Sequence, residues 1–147
     1  MNKWDDRMVE VARLVSTWSK DAERKVGCVI TTEDYHILAT GFNGYPKNVD
    51  DTDPSFRLHK SIHAEVNAAL RLPRMCERAR VFVWGGHPCA QCAAVLLQKG
   101  CRYFYVPKIL VLSKWSESMF TAYVMIKNTL TGEIGAYNTY DNTEEAL

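Results

Sequence analysis

The strings His63-Ala64-Glu65 and Pro88-Cys89-Ala90-Gln91-Cys92 constrain this chain more than anything else in it. They supply an imidazole, a pair of thiols and a carboxylate from two separate segments. The ligands of one ion must be gathered onto one point, and here each string falls at the start of an expected helix, with a strand between them. Cys-x-x-Cys at a helix start puts both sulfurs on one side, where free N–H groups and the positive end of the dipole favour thiolates. Pro88 suits the first turn of that helix, where its missing N–H costs little. Three protein ligands, His63, Cys89 and Cys92, leave a fourth position for water, the pattern of a catalytic rather than a structural zinc site. Zinc lowers the pKa of its water toward about 7, so hydroxide is available at neutral pH. Glu65 is the natural proton carrier beside it.

The same residues have a second reading, a closed structural zinc site in a binding module without turnover. That reading needs a fourth ligand near Cys89, and Cys76, Cys101, His59 and His87 are the nearby supplies. His87 is too close to Cys89 to be an obvious choice and is better placed to shape the rim of a pocket. A lone C-x-x-C would be a redox pair or half a finger, and a lone H-x-E carries nothing. The specificity lies in finding both, each at a helix start.

The rest of the chain is read around that pair. Met8, Val11, Ala12, Val15 and Trp18 recur at helical spacing and predict a first helix over about residues 4–19. Val26 to Ile30 and Ile37 to Thr40 read as a hairpin turning near Asp34. Gly41 to Pro54 is rich in Gly, Asn, Asp and Pro and reads as a long loop, a length that points to function. A second helix is expected from Ser61-Ile62 through Leu70, limited by Pro73. A buried strand is expected at Val81 to Trp84. A third helix covers about residues 90–99 and ends at Gly100. A fourth strand runs from Arg102 to Val106. In the tail, Trp115, Met119, Tyr123 and Ile126 favour a helix over 115–127, although Tyr123 to Ile126 is also β-prone; a strand near 133–138 follows. Alternating strands and helices after residue 60 predict an α/β layered domain.

At 147 residues the chain fits one domain, 1–147. Its formal net charge of +1 gives no global field for a nucleic-acid backbone, so nucleic acid is not an expected partner. No apolar run approaches the ~18 residues of a membrane span, and the acidic N-terminus lacks a signal peptide's apolar stretch. A cytoplasmic setting is expected. The odd count of five cysteines, two of them in C-x-x-C, favours metal use over disulfides. Cys28 and Cys101 open or lie in apolar runs and read as buried core thiols. Cys76 has no assigned role.

The pairing H-x-E with P-C-x-x-C is the signature spacing of zinc deaminases. At these residues the chain resembles the cytidine/deoxycytidylate deaminase superfamily, from about Val15 to Val106. Within it, further strings are similar to those of the deoxycytidylate (dCMP) deaminases: Ser19-Lys20-Asp21, then Lys25-Val26-Gly27; Gly41-Phe42-Asn43-Gly44-Tyr45-Pro46, with Phe42 where Tyr is usual; and the extended His63-Ala64-Glu65-Val66-Asn67-Ala68. The resemblance implies a three-layer α/β/α fold with a mixed five-stranded sheet. It implies hydrolytic deamination of dCMP to dUMP and ammonia, feeding thymidylate synthesis. It further implies a homohexamer activated by dCTP and inhibited by dTTP, with Mg2+ accompanying the triphosphate at the loop Gly41, Phe42, Asn43, Gly44 and Tyr45. The tail after Val106 has no clear match.

The chemistry of those strings is compatible with a nucleotide. Ser19, Lys20, Arg24 and Lys25 cluster where the first helix ends, and phosphate takes charge-assisted hydrogen bonds from such groups. Ser19 and Lys25 are the favoured substrate contacts; a solvated basic helix end is the alternative. Asn43 can donate and accept at a sugar hydroxyl or base edge, or serve as a turn residue in its Asn-Gly pair. The backbone of Ala64 is a further contact for the base edge. Asp50, Asp51 and Asp53 fit a metal–phosphate site or a solvated loop. Other substrates of the same chemistry, namely dCTP, free deoxycytidine or a tRNA base, remain as alternatives.

Overall fold

The computed structural model describes residues 2–53, 55, 60–107 and 116–129, and the backbone of 133–137. Helix α1 (Lys3–Ser16) starts at a capping box. Asn2 Oδ1 accepts from the backbone N–H groups of Trp4 and Asp5 at 2.9 Å each, and Asp5 Oδ2 accepts from the Asn2 N–H at 3.1 Å. Met8, Val9, Ala12 and Val15 form its buried face. The helix ends before the expected residue 19. The Ser16 and Thr17 hydroxyls donate to the Arg13 and Leu14 carbonyls at 2.6 Å, giving the backbone an alternative to further helical turns. Trp18 therefore leaves the apolar stripe; it is 52% exposed and meets Phe42 edge-on.

Strands β1 (Gly27–Thr31) and β2 (Ile37–Phe42) form the expected antiparallel hairpin. The second strand runs two residues further than expected and takes in Gly41 and Phe42. Three more strands, β3 (Arg80–Trp84), β4 (Tyr103–Pro107) and β5 (Glu133–Tyr137), complete a sheet of order β2-β1-β3-β4-β5. β1 is antiparallel to both neighbours, whereas β3, β4 and β5 are parallel, so the sheet is mixed.

Side chains of the central strands alternate between two cores, as the period of 2 requires. Val29, Phe82, Tyr103 and Tyr105 pack under α1. Cys28, Ile30, Val81, Val83, Phe104 and Val106 face the other way, against helices α2 (Ala64–Leu70), α3 (Ala90–Gln98) and α4 (Glu117–Asn128). This gives three layers, and it explains why β1 and β4 read as unbroken apolar runs: both of their faces are covered. Cys28 and Cys101 are buried core thiols. No helix among the described residues is long and apolar enough to cross a membrane.

α2 starts at Ala64, not at Ser61-Ile62. Ile62 is held extended by paired hydrogen bonds with Gly44, N–H to C=O at 2.7 Å and 3.1 Å, and His63 remains extended as the N-cap. α3 is capped by Cys89, which puts Pro88 ahead of the cap instead of in the first turn. It closes at Gly100 (φ +103°), with the Cys101 N–H donating to Leu96 and the Gly100 N–H to Leu97, a Schellman ending. Residues 123–126 of the tail are helical, within α4. Trp115, residue 138 and His59 lie outside the described residues.

Candidate active site

Two close approaches of backbone to backbone bring the site together. α2 lies directly on β2: a Cβ at Gly41 would stand 2.3 Å from the Ala68 nitrogen and 2.5 Å from the Ala64 oxygen. Asn67 Nδ2 adds a hydrogen bond to the Phe42 carbonyl at 2.8 Å. Gly41 and Phe42 thus seat the helix that carries His63 and Glu65, and they are not part of a loop. After β3 the chain turns through Gly85 (φ +92°), where a Cβ would lie 2.3 Å from the Lys25 oxygen. It then passes Gly86, His87 and Pro88 to reach the Cys89 cap.

The start of α2 and the start of α3 converge. His63 Nδ1 lies 3.2 Å from Cys92 Sγ and 3.5 Å from Cys89 Sγ, and the two sulfurs are 3.1 Å apart. Cys89 Sγ also accepts from the Cys92 backbone N–H at 3.3 Å. Among the described residues this is the one group of three or more His, Cys, Asp or Glu side chains with ligand atoms close enough to share an ion. An imidazole nitrogen and two sulfurs at these separations fit Zn2+, which takes such ligands at about 2.0–2.3 Å. Hydrogen bonds from Cys92 and then His63 hold the Cys89 thiol well below its usual pKa, so a thiolate is favoured at this helix start. The hydrogen bond to Cys89 raises the His63 pKa against the opposing effect of burial. Of the supplies for a fourth protein ligand, the three among the described residues are engaged elsewhere. His87 Nε2 is 2.5 Å from the Pro107 carbonyl oxygen, the Cys76 thiol donates to the Arg74 carbonyl, and Cys101 is in the core.

Glu65, in the first turn of α2, is 3% exposed, and burial pushes its pKa up to about 7. It lines a cavity of about 470 Å3 together with His63, Ala64, Asn43, Ser61 and His87. That volume suits a small organic ligand. Burial and then the charge of Arg24 lower the His87 pKa, against its bond to Pro107. Asp21, Glu23 and Arg24 also line the cavity. His87 was legible as a rim residue. Asp21 falls within the Ser19-Lys20-Asp21 string but has no role of its own there, and Glu23 and Ser61 carry no motif that points to the cavity.

The residues expected to meet substrate divide. Ala64 and Asn43 line the cavity. Ser19 and Lys25 do not; they are joined to one another and to Asn43. Lys25 Nζ donates to the Ser19 carbonyl, and Ser19 Oγ donates to the Asn43 carbonyl at 2.9 Å. Asn43 Oδ1 accepts from the Val26 N–H and its Nδ2 donates to the Arg24 carbonyl, both at 2.9 Å. The side chain of Asn43 is therefore spent on backbone. Gly44 and Tyr45, with Trp18, Phe42, Lys20 and Lys47, border a second cavity of about 490 Å3. Beside it, Asp50 binds Thr52, Asp53 binds the Ser55 N–H, and Asp51 pairs with Lys20 at 3.1 Å, so the three carboxylates are engaged locally and form no ion-binding group.

Comparison with known proteins adds an independent line. Residues 2–107 match the family described as the cytidine and deoxycytidylate deaminase zinc-binding region. A protein named an uncharacterized deaminase in the luxG 3′ region of Aliivibrio fischeri is 38% identical over 126 residues, covering 81% of this chain and 84% of that protein. A probable deoxycytidylate deaminase of Caenorhabditis elegans is 34% identical over 114 residues, covering 70% of this chain but 56% of its own length. The fold is similar to that of the dCMP deaminase of cyanophage S-TIM5, with a TM-score of 0.71 at 22% identity, over 93% of this chain and 99% of that one.

Proposed function

The chain belongs to the cytidine and deoxycytidylate deaminase family, and from that premise we propose that it hydrolyses dCMP to dUMP and ammonia. The observation that carries the reading is the convergence of His63 Nδ1, Cys89 Sγ and Cys92 Sγ within 3.5 Å of one another, beside a cavity lined by His63 and the buried Glu65. The names of the relatives, and the dCMP and dUMP bound in a second structure of the cyanophage enzyme, support the choice of base and phosphate.

In this reading His63, Cys89 and Cys92 hold one Zn2+. When bound, the ion supplies a Lewis acid that makes water a competent nucleophile near neutral pH. Glu65 takes the proton from the attacking water and delivers it to N3 of the cytosine ring. A C4–O bond forms, Glu65 passes the second proton to the exocyclic nitrogen, and the C4–N bond breaks with loss of ammonia. The carboxyl's raised pKa, about 7, suits a group that must both take and give a proton near neutrality. The Ala64 backbone borders the place where the base edge would sit. Ser19 and Lys25 act one step back, through Asn43. A cytoplasmic setting belongs to the same proposal, since Cys89 and Cys92 bind metal as reduced thiolates.

Regulation by dCTP and dTTP, Mg2+ with the triphosphate, and a hexamer come from the family resemblance. The second cavity, with Trp18, Phe42 and Tyr45 for stacking and Lys20 and Lys47 nearby, is where an effector nucleotide would be sought.

The test is ammonia release by the zinc-loaded protein from dCMP, dCTP, deoxycytidine and tRNA side by side. Preference for dCMP is expected, and preference for any other substrate refutes the reading. The dCMP curve repeated with dCTP and with dTTP tests regulation separately.

A further inference from the structure

We propose that Arg24 is the residue that receives the substrate's phosphate, and that the charges beside it select a monophosphate over both a nucleoside and a triphosphate. The inference rests on the dCMP reading above and deepens it. Among the described side chains lining the cavity with His63 and Glu65, Arg24 is the one lysine or arginine. The neighbouring cations are occupied: Lys25 Nζ donates to the Ser19 carbonyl, and Lys20 pairs with Asp51 and borders the other cavity. The Arg24 guanidinium is exposed and has no hydrogen bond or ion pair among the described residues.

Its backbone, by contrast, is fixed on both sides. The Arg24 N–H donates to Asp21 Oδ1 at 3.0 Å, and its carbonyl accepts from Asn43 Nδ2 at 2.9 Å. Two residues on, the Val26 N–H donates to Asn43 Oδ1 at 2.9 Å. A free cationic head on an anchored stem gives a fork that meets phosphate bidentately. The Asn43 side chain, read from the sequence as a substrate contact, is what anchors it.

The rest of the wall sets the limit. Asp21 and Glu23 line the same cavity beside Arg24. Asp21 Oδ1 is partly neutralised by the N–H groups of Glu23 and Arg24, at 2.8 and 3.0 Å. One guanidinium satisfies one phosphate. A triphosphate would bring further negative charge past the two carboxylates, where no second lysine or arginine lines the cavity among the described residues, and like charges at such range repel. A nucleoside would leave the guanidinium with nothing to bind.

Steady-state kinetics on dCMP, deoxycytidine and dCTP with zinc-loaded wild type, Arg24→Ala, Arg24→Lys and Glu23→Gln test this, with calorimetric binding of dUMP and deoxyuridine as a readout apart from turnover. Arg24→Ala is expected to raise KM for dCMP at least about tenfold, the loss of a charged hydrogen-bonding partner, with little change in kcat and none for deoxycytidine. Its dUMP affinity falls in step while deoxyuridine binding stays the same, and Arg24→Lys recovers part of both. Glu23→Gln lowers KM for dCTP several-fold, a gain that misfolding cannot produce. If wild type prefers dCMP yet Arg24→Ala leaves its KM within twofold, the proposal falls and the substrate reading stands. Equal losses on dCMP and deoxycytidine also overturn it, marking Arg24 as structural. An unchanged dCTP KM in Glu23→Gln overturns the selection by charge. Wild type that handles deoxycytidine as well as dCMP overturns proposal and reading together.

Discussion

Glu65 is a carboxyl that the fold buries almost completely, and burial is the largest influence on its pKa, raising it from 4.5 to about 7. A group whose folded pKa lies above its unfolded value binds its proton more tightly in the folded state. Its contribution to stability is therefore complete below about pH 4.5 and is lost as pH rises through about 7. In the metal-free protein that loss is on the order of 3 kcal/mol. Glu65→Gln keeps the shape and removes the titration. Metal-free Glu65→Gln is expected to match wild type near pH 4.5 and to exceed it at pH 8, by urea denaturation at both values; a gap that does not widen with pH would refute the assignment. The zinc-loaded variant is expected to keep one zinc per chain while losing at least about 10²–10⁴-fold in deamination, the usual scale of acid–base catalysis. The H-x-E string singled out Glu65 as the expected proton carrier. Its burial was not legible, because what covers it comes from the packing of α2 on β2 and β1. Ser19 and Lys25 show the opposite failure. Their residue types fit phosphate, but their partners, each other and Asn43, are set by a turn that composition does not reveal.

The helix that carries Glu65 depends on one missing side chain. Any Cβ at Gly41 would fall within 2.5 Å of backbone atoms of Ala64 and Ala68, and backbone cannot rotate aside as a flexible side chain can. Gly44, three residues on in the same string, has open space within 4 Å of its Cβ position and serves as the internal control. Gly41→Ala is expected to cost about 1–3 kcal/mol, the range of overpacking, and to lose zinc affinity and activity as α2 lifts from β2. Gly44→Ala is expected to stay within about 0.5 kcal/mol of wild type. Thermal melts and metal content of the two variants decide it; equal effects would show that the contact is not the reason for the glycine. Most elements were legible because their apolar periodicity was strong: α1, the β1–β2 hairpin, β3, α3 with its Gly100 ending, and β4. The start of α2 was misread because the local pattern from Ser61-Ile62 onward favours a helix. The Gly44–Ile62 bridge, a tertiary contact, overrides that local preference and leaves His63 extended at the helix mouth. The Gly-Asn loop begins after Phe42 and not at Gly41 because Gly41 and Phe42 pair with Cys28 and Gly27 of β1.

The molecule as a whole is two cores separated by one sheet, and that layout fixes what the metal can and cannot do. The order β2-β1-β3-β4-β5 places β1 between β2 and β3, a non-sequential neighbour that hydrophobic pattern alone does not reveal, although the alternation of strands and helices did reveal layering. Once the order is set, α2 follows β2 and α3 follows β3 on the same face, and their first turns point at a common spot above the sheet. Cys92 is buried, but neither apolar cluster counts His63, Cys89 or Cys92 among its members. Most of the hydrophobic burial that drives folding lies in those two clusters, so the metal ties α2 to α3 rather than creating the fold. Chelation is therefore expected to abolish deamination while leaving far-UV circular dichroism at 25 °C unchanged. It is also expected to lower the melting temperature. Free zinc a thousandfold above its dissociation constant adds about 4 kcal/mol to the folded state, which for a chain of this length corresponds to about 8–16 °C. Restoring zinc should return both activity and melting temperature, and cobalt(II) in its place should give the visible absorption of a thiolate-ligated, four-coordinate ion. A chelated protein that loses its secondary structure would show that the ligands hold the fold itself together. An unchanged melting temperature would show that α2 and α3 are already fixed without the ion, leaving zinc a purely chemical part.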